Sequence, residues 1–150
     1  MKTFDYIVGC DPGVHTGLAI FHGKTGNLHS AGSYSIIEAM EIIKDLEDSG
    51  SVFLRIEDAR LRKWYGKNSN AKAQGAGSVK RDCKIWEEFC AFYGIENQFV
   101  SPKGQRTKMN AKAFEHYTGC KLRLNEHGRD AYLLAWGFKP STHILNSPKR

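Results

Sequence analysis

The stretch Tyr6-Ile-Val-Gly-Cys-Asp-Pro-Gly-Val-His-Thr-Gly-Leu-Ala-Ile-Phe21 decides how the rest of the chain is read. Tyr6 to Cys10 has the length and β-branched content of a buried strand, and Pro12-Gly13 is strong turn chemistry. A second apolar run comes after the turn, so the pattern predicts a β-hairpin that holds Asp11 at the edge of a sheet. A carboxylate in that position is costly to bury unless something cationic meets it. A metal ion is therefore the first partner to look for, and nucleotide chemistry the second.

Outward from the hairpin, residues 27–34 can supply a third strand. Ser35-Ile-Ile-Glu38 is a capping box, after which Ile36, Ala39, Met40, Ile43 and Leu46 recur at helical spacing until Gly50. Ser51-Val-Phe-Leu-Arg-Ile-Glu57 is a second buried strand ending on an acid. A polar Gly- and Lys-rich stretch runs to about Gly77. A helix is then expected from Ser78 to Tyr93, with Val79, Cys83, Trp86, Cys90 and Tyr93 on one stripe and Gly94 as its stop. Gln98 to Ser101 reads as a brief strand, Thr107 as the cap of a helix reaching Tyr117, and Asn125 as the cap of a last helix continuing to Phe138. Hairpin strands followed by strand–helix alternation give an α/β layered sheet with helices on its faces. One domain over residues 1–138 and a surface tail over 139–150 account for the whole chain.

With 150 residues, 41% hydrophobic and 25% charged, the composition is that of a globular domain with a real core. Net charge is +6, and nine cations fall between Arg55 and Lys84 against only Glu57, Asp58 and Asp82. The middle of the chain carries the positive field, which favours a polyanionic partner. Trp64-Tyr65, set among Arg60, Arg62, Lys63 and Lys67, joins flat rings that stack on unpaired bases to cations that track phosphates. Lys72, Lys80, Arg81 and Lys84 extend that basic face. No apolar run approaches a membrane span, and the Met1-Lys-Thr-Phe-Asp5 opening carries no signal-like apolar region, so a cytoplasmic location is expected. The four cysteines form no CxxC pair and are read as free thiols; a zinc site from Cys83, Cys90, His116 and Cys120 fits no usual ligand spacing.

Chemistry concentrates in three places. Asp11 and Glu57 each end a strand, and Asn125-Glu-His-Gly-Arg-Asp130 opens a helix with His127 and Asp130 three apart on one face. Three carboxylates and an imidazole at element ends suit one or two divalent cations, Mg²⁺ with Mn²⁺ able to substitute. Plainer readings stand beside each: Asp11 as a turn cap, Glu57 paired with Arg55 or Arg60, His127 and Asp130 as surface groups. Glu126 and Asp58 are adjacent acids that could serve as ligands instead.

Taken in order, these residues resemble a family. Gly9-Cys-Asp11-Pro-Gly13, Glu57 after the fourth strand, Lys67-Asn68 with Ala71, Gly75 and Gly77, and His127-Gly-Arg-Asp130-Ala-Tyr-Leu-Leu-Ala135 are similar to the motifs of RuvC-type Holliday junction resolvases in a short phage or viral form. The resemblance implies an RNase H-like mixed sheet, antiparallel hairpin strands plus parallel strands, with helices on both faces. It implies a metal-dependent endodeoxyribonuclease, a homodimer acting on four-way DNA junctions in the host cytoplasm, which leaves 5′-phosphate and 3′-hydroxyl nicks. Asp11, Glu57, His127 and Asp130 would hold the metal, and Lys108 or Lys103 would stand near the phosphate, Lys108 as the catalytic lysine and Lys103 as a DNA contact. The Gly9-x-Asp11-x-Gly13-x-x-Thr16 spacing also resembles the phosphate hairpin of sugar kinases and actin-like ATPases, but those need two such domains. A broader branch- or flap-selective DNA nuclease and a non-catalytic junction-binding module are the remaining alternatives.

Overall fold

A computed structural model of the chain describes residues 2–61, 69–102 and 109–140; for residues 61 and 69–76 only the backbone is described. Five strands, β1 (Tyr6–Asp11), β2 (Thr16–His22), β3 (Leu28–Tyr34), β4 (Val52–Glu57) and β5 (Glu96–Val100), form one sheet in the order β3-β2-β1-β4-β5. The first three are antiparallel neighbours, while β4 and β5 join β1 in parallel. Four helices, α1 (Ile36–Ser49), α2 (Ser69–Tyr93), α3 (Ala111–Thr118) and α4 (Glu126–Ala135), complete an α/β fold with the RNase H-like arrangement.

Burial on both faces explains why the central strands read as continuous apolar runs rather than alternating ones. Val8, Cys10, Leu18, Ile20, Leu54 and Ile56 point to the side where α1 contributes Ala39, Ile43 and Leu46 and α2 contributes Trp86 and Cys90. Ile7, Ala19, Phe21 and Phe53 point to the other side, against Phe114 of α3 and Ala131, Tyr132 and Ala135 of α4. Asp11 and Glu57 share the alternation of Ile7 and Phe53, so both face α4. The β1–β4 register pairs Cys10 with Ile56, which brings the two strand ends side by side.

Two glycines set how close α4 comes. A Cβ on Gly9 would collide with the Ala131 carbonyl oxygen, and one on Gly17 with that of His127. Glycine inside a strand marks such an approach of backbone to backbone.

The capping box forms as expected, with Ser35 Oγ accepting from Glu38 N at 3.2 Å and Glu38 Oε2 accepting from Ser35 N at 3.4 Å. Asn125 caps α4, its Oδ1 accepting from Gly128 N at 2.9 Å. Several boundaries differ from expectation. Helix α2 begins at Ser69 rather than Ser78, because the Ala, Lys and Gln of 71–76 outweigh two glycines in helix preference. Tyr93 leaves the buried stripe, 44% exposed, with Lys44 Nζ 4.9 Å from its ring centre. Strand β5 starts at Glu96 rather than Gln98. Helix α3 is capped by Asn110, whose Oδ1 accepts from Ala113 N at 2.9 Å, while Thr107 lies outside the described residues. Asn is as good a cap as Thr or better, and Met109 and Phe114, in one core cluster, staple that helix start. Helix α4 stops at Ala135; Phe138 instead stacks on Phe53 at 5.7 Å. Of the tail, Lys139 is exposed and Pro140 buried, and residues 141–150 lie outside the described set.

All four cysteines are free. Cys83 and Cys90 lie on α2, whereas Cys120 packs on the opposite side of the sheet beside α3 and α4, so the four-residue zinc grouping does not assemble. Among the described residues no helix is long and apolar enough to cross a membrane.

Candidate active site

The hairpin turn is closed by Thr16, whose buried Oγ1 donates to Gly13 O at 2.7 Å. Asp11 is thereby left to look across the strand ends toward α4, where its Oδ2 meets His127 Nδ1 at 3.2 Å. The helix is seated so that Gly17 lies under His127, and Asp130 comes one turn later on the same face. His127 Nε2 is 3.6 Å from Oε1 of the exposed Glu126, and the His15 and His127 rings lie 6.1 Å apart.

Electrostatics tie these groups together. The Asp11 carboxyl is pushed up to about 7, first by burial, then by the neighbouring negative charge of Glu57, with Asp130 adding to the rise. The hydrogen bond from His127 pulls the other way. Three carboxylates thus crowd one sheet edge with an imidazole as the opposing contact, a pattern that burial and like charge produce at functional sites. No group of three or more His, Cys, Asp or Glu side chains among the described residues closes into a metal cage. The donor chemistry nevertheless fits a hard divalent cation, which would replace the mutual repulsion of Asp11, Glu57 and Asp130 by attraction.

The neighbouring acid, Asp58, has a different surrounding. Arg60 Nε donates to Asp58 Oδ1 at 2.8 Å, Nη2 to Oδ2 at 3.0 Å, and Nη1 to Glu87 Oε2 at 2.8 Å. Both Asp58 oxygens are occupied by Arg60, which leaves Asp58 poorly placed as an alternative ligand. Arg60, expected to face DNA, is bound within the protein instead. Arg55 is also turned inward, donating to Leu134 O at 2.7 Å with its guanidinium 4.2 Å from the Phe138 ring centre.

Of the other expected DNA contacts, Lys80 and Arg81 are exposed on α2, with Arg81 Nε 3.7 Å from Asp82 Oδ1. The side chain of Lys72 is not described. Arg62, Lys63, Trp64, Tyr65, Lys67, Lys103 and Lys108 lie outside the described residues. Gly17 and Thr16 shape the site without having been expected to, although a glycine inside an apolar strand run is the usual sign of close approach. Arg129 is a further unexpected contributor. It donates to Met109 O at 3.0 Å and Leu124 O at 2.7 Å, tying the segments that lead into α3 and α4 to α4 itself.

Compared with known proteins, the chain matches no family model and no curated protein sequence.

Proposed function

We propose that this protein is a divalent-metal-dependent, structure-selective endodeoxyribonuclease that resolves four-way DNA junctions by paired nicks. The observation that carries the reading is the gathering of Asp11, Glu57 and Asp130 at one edge of an RNase H-like sheet, with His127 on Asp11 and the Asp11 carboxyl raised first by burial and then by the charges of Glu57 and Asp130. Asp11 and Glu57 would hold Mg²⁺ or Mn²⁺ from the strand ends, with Asp130 and His127 contributing from α4. The cations would supply an activated water and stabilise the departing oxygen. The strand ends hold the acids in place before DNA arrives, so little reorganisation accompanies the reaction. The +6 charge and the exposed Lys80, Arg81 and Lys84 support a phosphate backbone as the partner. Paired cutting requires two such edges, hence a homodimer.

The test is cleavage of a synthetic four-way junction beside a flap and a plain duplex, with Mg²⁺ or with chelator. Symmetric, ligatable nicks in the junction alone, lost with chelator, are expected. Equal cutting of the flap would broaden the activity to branched DNA in general, and salt-sensitive junction binding without cleavage would reduce it to a binding module.

A further inference from the structure

Glu57 is the last residue of β4, and the chain immediately beyond it is fastened from several directions. Asp58 N donates to Val100 O at 2.7 Å, locking the end of β4 to the end of β5. Asp58 accepts two guanidinium bonds from Arg60 and, at Oδ1, a third from the Arg60 backbone N at 3.1 Å. The same guanidinium reaches α2 through Glu87 and lies 5.2 Å from the ring centre of Phe99 in β5. With side chains 9%, 25% and 31% exposed, Asp58, Arg60 and Glu87 are shielded enough for a two-nitrogen fork to hold a fixed geometry. Also from α2, Cys83 Sγ donates weakly to Glu57 O at 3.9 Å.

We propose that Arg60 is a positioning residue: by joining Asp58, Glu87 and β5 it fixes the end of β4 so that the Glu57 carboxylate stands beside Asp11. This rests on the metal-site reading above and changes the role of a cation that its basic neighbourhood had suggested for DNA. Partners bonded directly to a metal ligand change metal affinity or activity by about 10–100-fold when removed, and Arg60, acting through the adjacent Asp58, is placed at the lower end of that range.

The experiment measures Mn²⁺ binding by electron paramagnetic resonance on the full chain without DNA, alongside junction affinity at several salt concentrations. Arg60→Gln is expected to weaken Mn²⁺ binding by about 10-fold or more while leaving junction affinity and its salt slope unchanged. Arg60→Lys keeps the charge but cannot form the fork, so it should recover only part of the Mn²⁺ affinity. Should Arg60→Gln fail to fold, Glu87→Gln removes the charge from the α2 arm alone and should weaken Mn²⁺ binding less, again without touching DNA. Wild-type Mn²⁺ affinity in these variants, or a lost junction affinity with a flattened salt slope, would overturn the positioning role. No Mn²⁺ binding by the wild type would instead overturn the metal reading beneath it.

Discussion

Glu57 and Asp58 are consecutive in the chain and serve two neighbouring acidic clusters with opposite internal balance. Asp58 and Glu87 enclose the Arg60 guanidinium, and each bond that the guanidinium makes to them joins unlike charges. On the α4 side, Asp11 is surrounded by Glu57 and Asp130, and its carboxyl is driven up to about 7 by burial and like charge. The first cluster pairs its charges within the fold; in the second, burial and like charge oppose ionised Asp11, with the His127 hydrogen bond set against them. Proteins tolerate such an arrangement where a ligand completes it. On the reading proposed above, the contrast separates structural from functional acids more sharply than residue type does.

The largest expected effect belongs to the strained cluster. Asp11→Asn or Glu57→Gln should lower junction cleavage by about 10²–10³-fold, the scale for losing a group that stabilises transition-state charge. Junction affinity should be retained, because the proposed phosphate contacts are made by other residues; near wild-type cutting would dissolve the contrast altogether. Next comes the spacing between strand and helix. Gly17→Ala forces a Cβ against the His127 carbonyl and should cost about 3 kcal/mol in urea unfolding, at the upper end for overpacking. A neutral result would mean that α4 is free to lift off the sheet.

Stability distinguishes the clusters by sign. Asp58→Asn leaves Arg60 with one charged partner in a part-exposed setting and should cost about 1–3 kcal/mol. Asp11→Asn removes a repelled charge and should leave the metal-free protein at pH 8 as stable as the wild type or slightly more so. If both variants lose equal stability, Asp11 is an ordinary structural acid. The clusters also differ in their response to pH. A carboxyl raised from 3.8 to about 7 on folding contributes stability that is full below the unfolded value and is lost as pH rises through about 7. Thermal unfolding in chelator should therefore show a fall in stability between about pH 4 and 7 that Asp11→Asn abolishes. Added Mg²⁺ should reverse the fall at pH 8; an identical profile in both proteins would assign it to another group.

Much of the frame was legible because it is encoded locally. The hairpin about Pro12-Gly13, the Ser35–Glu38 box and the Asn125 cap each depend on residues a few positions apart, and each forms as read. The face on which Asp11 and Glu57 sit is a matter of strand alternation alone. The internal partners of Arg60 were not legible because Glu87 is 27 residues away on α2, and no local pattern shows which of several cations an acid will claim. The early start of α2 escaped for a related reason: Gly75 and Gly77 read as loop punctuation, while the Ala, Lys and Gln around them carried the helix.

The flush seating of α4 has a consequence for how such a molecule can change over time. Because Gly9 and Gly17 let peptide groups rest on peptide groups, the gap between the helix and the strand ends is a property of the main chain and not of any interior side chain. Phe114, Tyr132 and their apolar neighbours can then be exchanged for others of similar bulk without moving the acids relative to one another. The two glycines act as a gauge block: the interior around them can be refilled while the distance they set stays the same.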